Sequence, residues 1–229
     1  MIGVRKRIEM TADEKLNNPP YLEVAFDIPD WRRVEGVIRA LPDHPAVVIE
    51  AGTPLIKRYG VEVCRKIHQI RPRAVVLADL KTMSSGLREA RMAAQATADV
   101  VSFAGVAPLG TQEAFIEECH EQGVLALLDT INLHDPLPTL RKLRVKPDVV
   151  ELHRAIDLEL TDTAHQWGNI PEIKEAIGGG PVAVAGGIRL PKVKEALASK
   201  ADILVVGRAI TVAKDVNSAA RAFLREMGV

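Results

Sequence analysis

The sequence predicts a (β/α)8 barrel, the TIM-barrel class, as a single domain. Three observations carry this. A short apolar strand followed by a helical stretch recurs eight times after Pro20, which is the cadence of that fold. The strand segments are near-continuous apolar runs without surface-type alternation, as parallel strands covered on both faces should be. Ionisable residues gather at the carboxyl ends of the strands, while Pro45, Pro72, Pro147 and Pro181 stand at the opposite ends. An open doubly wound sheet is the rival, but its first turn should carry a Gly-x-Gly-x-x-Gly loop, and none follows Ile28.

Residues 1–20 are polar and charged and end in Asn17-Asn18-Pro19-Pro20. They are expected to form an N-terminal extension, with Thr11 capping a short helix through Leu16 and Glu14 as its capping-box partner. The barrel is expected over residues 21–229. Its first strand is Tyr21–Ile28 and its first helix Trp31–Leu41. Strand Ala46–Gly52 precedes a helix over Leu55–Ile70. Strand Ala74–Lys81, rich in Val and Leu, precedes an alanine-rich helix over Gly86–Ala96. Strand Asp99–Gly105 is followed by a helix over Thr111–Gln122, ended by Gly123. Strand Val124–Thr130 leads to a helix over Pro136–Leu143. Strand Asp148–His153 leads to a helix over Asn169–Ile177, stopped by three glycines, Gly178 to Gly180. Strand Pro181–Ile188 precedes a helix over Pro191–Ser199. Strand Ile203–Arg208 precedes the last helix, Ser218–Met227.

Composition removes several function classes. The chain has 229 residues, 47% hydrophobic and 26% charged, enough for a full core. Lys+Arg and Asp+Glu are both 30, so no overall basic field argues for nucleic acid. Aromatics are 3%, too few for a base-stacking platform. The basic start, Met1 to Arg7, has no apolar stretch behind it, so neither a signal peptide nor a membrane span is expected. Cys64 and Cys119 lack metal-type spacing and suit a reduced, cytoplasmic setting.

In such a barrel the site lies at the carboxyl ends of the strands. Asp27, Glu50, Asp79 with Lys81, Asp129, Glu151 with His153, Gly186-Gly187 and Gly207-Arg208 all fall there. Asp79 and Lys81 are two apart and so share a face. Taken alone, they could be a salt bridge capping a strand. Glu50 and Asp79, on neighbouring strands, could hold Mg2+, which takes one or two protein carboxylates and leaves positions for water or substrate oxygens. The plainer reading of Glu50 is a partner for Lys81. The glycines after strands seven and eight let an anion approach main-chain N–H groups, and Arg208 adds a charged donor, so a phosphate is expected there. His153 is the natural general acid/base near neutral pH. Arg154 is expected to face the other way. His68, His120 and His165 read as surface residues.

Four segments resemble 3-hexulose-6-phosphate synthase, particularly its archaeal form, of the orotidine monophosphate decarboxylase superfamily: Tyr21–Asp27, Ile49–Ile56 with its Glu50-Ala-Gly-Thr-Pro54, Ala78–Met83 with its Asp79-Leu-Lys-Thr-Met83, and Val184–Ile188. The resemblance covers Tyr21 to about Arg221. It implies an aldol reaction of formaldehyde with ribulose 5-phosphate, through an enediolate that Mg2+ stabilises. It implies that Glu50 and Asp79 hold the ion, and that Asp79, Lys81 and His153 are catalytic. Asp27 would bind substrate hydroxyls, and Gly186, Gly187, Gly207 and Arg208 the phosphate. It further implies a homodimer with the site near the interface. No isomerase or formaldehyde-activating domain is appended, so the chain is expected to work alone. One position departs: the superfamily pattern Asp-x-Lys-x-x-Asp has a second acid that reaches the partner's site, and here that residue is Ser84. Two other readings therefore stand beside the aldolase. One is a decarboxylase of a keto-sugar acid phosphate or of orotidine monophosphate. The other is a sugar-phosphate-binding barrel without catalysis.

Overall fold

A computed structural model describes residues 16–155 and 167–229. Its eight strands close into a parallel barrel in sequence order. The strands are β1 (Tyr21–Phe26), β2 (Val47–Ala51), β3 (Val75–Thr82), β4 (Val100–Ala104), β5 (Leu125–Asp129), β6 (Val149–His153), β7 (Val182–Ala185) and β8 (Ile203–Val206). Outside them run α1 (Trp31–Ala40), α2 (Thr53–Tyr59), α3 (Val63–Ile70), α4 (Gly86–Gln95), α5 (Leu109–Glu121), α6 (Leu137–Lys142), α7 (Ile170–Ala176), α8 (Val193–Ala198), α9 (Arg208–Thr211) and α10 (Val216–Met227). The helix expected over Leu55–Ile70 is two helices, because Gly60 ends α2. The short α9 directly after β8 was not expected. The proposed Thr11 helix and His165 lie outside the described residues.

The strands are apolar because both faces are covered. Val24, Phe26, Val48, Ile49, Val76, Val101, Phe103, Leu128 and Val150 are all buried. Strand register puts alternate residues on the inner side, so Ala25, Glu50 and Leu77 sit abreast across β1, β2 and β3. Asp129 and Glu151 face each other across β5 and β6.

The lower end of the barrel is pinned by a motif that recurs three times. Asp99 accepts the Val76 N–H at 2.9 Å and pairs with His68 at 3.1 Å. Asp148 accepts the Ala126 N–H at 2.7 Å and pairs with His120 at 3.1 Å. Asp202 accepts the Val182 N–H at 2.9 Å and pairs with Lys174 at 2.7 Å. Each aspartate stands just before an even-numbered strand, bonds the odd strand before it, and takes a histidine or lysine from a helix. His68 is therefore not the surface residue that its helix pattern suggested: it is nearly buried, with Thr97 on its other ring nitrogen.

Helices α4 and α5 pack closely. Ala90 and Ala93 are buried, and a Cβ on Gly86 would stand 2.3 Å from the Thr111 carbonyl oxygen. The Arg91 guanidinium grips the buried Glu118 with two bonds, 2.7 and 2.8 Å. Gly86→Ala should therefore destabilise. The helix-propensity gain of roughly 1 kcal/mol or less is outweighed by backbone displacement, about 1–3 kcal/mol for overpacking. Denaturant unfolding checks the sign, and a stabilised variant would refute the close contact.

Candidate active site

The carboxyl ends of the strands surround a cavity of about 690 Å³ lined by Asp27, Glu50, Asp79, Lys81, Glu151, His153, Gly186, Gly187, Gly207 and Arg208. The residues that the sequence assigned to catalysis, metal and phosphate are thus brought together, while Asp129 lies buried and does not line the cavity. Arg154 lines the cavity too, against expectation. The chain leaves strand geometry after His153, and the Arg154 guanidinium turns to donate to the Gly186 carbonyl at 3.0 Å.

Asp79 and Lys81 form the most heavily bonded part. Lys81 adopts a left-handed backbone (φ 48°) where β3 loses register with β4. Such strain in a non-glycine residue costs roughly 1–3 kcal/mol and collects at functional sites. Its N–H donates to Ser102 Oγ at 3.0 Å, and the Ser102 hydroxyl donates to Asp79 Oδ1 at 2.8 Å. The Lys81 ammonium lies 2.6 Å from Asp79 Oδ2 and 3.0 Å from Asp129 Oδ2. Thr53, at the start of α2, donates its hydroxyl to Asp79 Oδ2 at 2.5 Å and its N–H at 3.2 Å. Burial disfavours the charge on Lys81, but Asp79 and Asp129 outweigh it and hold its pKa above the ordinary value. The simple salt bridge is therefore present, as one part of a larger network. Glu50 makes no ion pair among the described residues, so Lys81 is not its salt-bridge partner.

Asp129 joins the two protic groups. It is fully buried, and its Oδ2 meets both Lys81 Nζ and His153 Nδ1 at 3.0 Å, while Oδ1 accepts the Ile131 N–H at 2.7 Å. Burial raises its pKa, but the His153 hydrogen bond and the charges of His153 and Lys81 bring it below the ordinary value. For His153, burial works against the charged form. The nearby Glu151 and the bond to Asp129 prevail and push its pKa up to about 9. At neutral pH the imidazole is charged, with Nδ1 donating to Asp129. Burial pushes Glu151 up to about 8.

Buried acids outnumber bases. Glu23, Glu50, Asp79, Asp129 and Glu151 are buried and Asp27 stands at the mouth, against Lys81 and His153 beside them, while Arg33, Arg154, Arg189 and Arg208 also line the cavity. Burial and the neighbouring Glu23 and Asp79 charges push Glu50 well above the ordinary carboxyl range. Burial pushes Glu23 up to about 7. An all-carboxylate set short of positive charge fits a hard divalent cation. The ligand atoms of Asp129, Glu151 and His153 also lie within 4.8 Å of one another. That trio is already engaged by Lys81 and by its own ion pairs, which suits proton handling better than coordination.

Gly186 and Gly187 have φ of 98° and 70°. A Cβ on Gly186 would meet the Arg154 carbonyl oxygen at 2.4 Å, so the turn needs glycine there. Facing it across the last strand pair are Gly207 and Arg208. Ser84 is exposed on the rim between β3 and α4 and is not among the residues lining the cavity. Sequence reading passed over Thr53, Ser102 and Glu23. Thr53 had a signal, since it follows Glu50 within the Glu-Ala-Gly-Thr-Pro segment.

The profile of the Orotidine 5'-phosphate decarboxylase / HUMPS family matches residues 20–223. A bifunctional enzyme Fae/Hps of Methanosarcina acetivorans is 53% identical over 213 residues, 93% of this chain and 54% of the relative. The enzyme of the same name from Methanocella arvoryzae is 51% identical over 215 residues. The chain spans about half the length of these curated relatives. Among solved structures, 3-hexulose-6-phosphate synthase from Salmonella typhimurium aligns with a TM-score of 0.82 at 28% identity, covering 90% of this chain and 98% of that one. KGPDC from Streptococcus mutans in complex with D-R5P aligns with a TM-score of 0.79 at 22% identity, covering 91% of this chain and 97% of that one, and shares the fold.

Proposed function

The chain belongs to the Orotidine 5'-phosphate decarboxylase / HUMPS family, and from that premise we propose that it is a lyase joining formaldehyde to ribulose 5-phosphate, or running that reaction in reverse. The observation that carries this reading is the wall formed by Asp79, Lys81 and His153, joined through the buried Asp129, in one cavity with the glycine turns. The phosphate would lie against Gly186, Gly187, Gly207 and Arg208, and Arg154 would stiffen that turn through Gly186. Asp27 would take substrate hydroxyls at the mouth.

Glu50 and Asp79 would hold Mg2+. Bound there, the ion would supply positive charge against the negative charge that builds on the enediolate oxygens. The remaining work falls to the protein's own groups. Lys81 is fixed by two carboxylates and cannot swing away, so it presents a permanent charge beside the reacting carbons. In the condensation a carboxylate lining the cavity takes the C1 proton of ribulose 5-phosphate as the enediolate forms, and His153, charged at rest, then gives a proton. The recipient is the oxygen of formaldehyde, which becomes an alcohol as the carbon–carbon bond forms. In cleavage the neutral imidazole takes that proton back. Asp129 holds Nδ1–H in place throughout, so the transfer uses the other ring nitrogen.

A homodimer is part of this reading. Met83, Leu87, Val106 and Leu109 expose apolar surface near the amino-terminal ends of α4 and α5, on the rim that carries Ser84. A cytoplasmic setting suits the two buried, free cysteines, and no helix among the described residues is long and apolar enough to cross a membrane. The test is formaldehyde consumption with ribulose 5-phosphate and Mg2+, in a sample whose sedimentation mass is that of a dimer. Loss of formaldehyde that depends on both the sugar phosphate and Mg2+ is expected. No loss above background would reject the synthase reading, and carbon dioxide release from a keto-sugar acid phosphate would replace it with a decarboxylase.

A further inference from the structure

Glu23 has no place in the chemistry above, yet its surroundings are the least expected in the barrel. It stands on the inner side of β1, two residues below Ala25, which lines the cavity. It is 1% exposed, and neither of its carboxylate oxygens has a hydrogen-bond partner. In the register of β1 against β2 it lies one inner position below the level of Glu50, and no donor among the described residues reaches its oxygens. A buried carboxylate without donors is costly, and a second carboxylate beside it adds repulsion. Such a pair persists when a positive charge completes it. The nearby protein cations are committed elsewhere: Lys81 to Asp79 and Asp129, and His153 to Asp129 and Glu151. At the inner position directly above Glu23 on β1 stands only the methyl group of Ala25, which lines the cavity.

We propose that Glu23 is a positioning residue of the divalent-cation site, adding a third carboxylate charge from beneath and fixing Glu50 for the ion. This rests on the reading of Glu50 and Asp79 as the pair that holds the metal. With oxygen donors alone, the ion is a hard one, such as Mg2+ or Mn2+.

The test compares the unsubstituted protein with Glu23→Gln, which keeps the size of the side chain and removes its charge. Mn2+ and Mg2+ affinities are measured without substrate, by calorimetry and by the paramagnetic effect of Mn2+ on water relaxation. The substitution should weaken binding about 10- to 100-fold, the range for groups that orient metal ligands. The metal-free variant should unfold at a higher temperature than the metal-free parent, because carboxylate crowding is relieved. The rise in Tm on adding metal should shrink accordingly. Glu23→Asp, which keeps the charge, should bind the ion more tightly than Glu23→Gln. Equal affinity in the parent and in Glu23→Gln, with binding still lost in Glu50→Gln, overturns the role of Glu23 and leaves the Glu50–Asp79 pair standing. Absence of metal binding in the parent overturns both.

Discussion

Lys81→Ala is expected to lower turnover about 1,000-fold while leaving sugar-phosphate binding within a few-fold of the parent. A preorganised charge beside a developing anion is worth roughly 10²–10³ in rate, and here the lysine also keeps Asp79 and Asp129 apart in charge. Both carboxylates lose their contacts at 2.6 and 3.0 Å when it goes. Removing one partner of a buried pair typically costs about 3–5 kcal/mol, so the metal-free variant should also unfold more easily. Lys81→Arg separates the two roles. It restores a cation and much of the stability, but its planar, bulkier head cannot reproduce a point charge between two carboxylates, so activity should stay low. Steady-state kinetics with ribulose 5-phosphate, alongside thermal unfolding, read both. An alanine variant keeping a tenth of the parent rate would show that Lys81 is structural.

The second large effect concerns His153 and pH. Its pKa is raised in the folded protein to about 9, against about 6.5 unfolded. A group raised in this way stabilises the fold fully below pH 6.5, and that contribution is lost as pH rises through about 9. Turnover in the condensation direction should follow the same limb, falling above pH 9 as the proton donor is lost. Asp129→Asn removes the charge and the acceptor that hold Nδ1–H, so the histidine pKa should drop toward 6.5. The falling limb of the profile should move down with it, and neutral-pH turnover should drop about 100-fold, within the usual range for a general acid. Ring-carbon NMR titration, with His153→Gln as the blank, identifies the signal. A parent His153 that titrates near 6.5 would contradict the proton-donor role.

Much of this was legible before the fold was known. A strand's apolar run and the acid or glycine at its end are local features, so β1 to β8 and the rim residues can be read one segment at a time. Glu23 was passed over because the site was read from the strand ends, and Glu23 lies four residues before Asp27, inside β1. The alternation of β1 places it on the inner side with Ala25. Ser102 and Asp129 acquire roles only through contacts with Asp79 and Lys81 on β3, and no spacing rule reports those. Arg154 was misplaced because strand parity was extended beyond the last strand residue. His68 was placed on the surface because its partner Asp99 lies 31 residues away.

The three aspartate pins at the barrel's lower end bear on how the chain folds. Each helix side chain reaches its aspartate across a span of 28 to 31 residues, a short loop with a small closure entropy. Each also ties two strands that are consecutive in sequence. The lower end can thus zip up from local, low-contact-order steps, which are the fast ones. The mouth draws acids from β1, β2, β3, β5 and β6 into one space, and of the neighbouring strand pairs among these only β5–β6 carries such a pin.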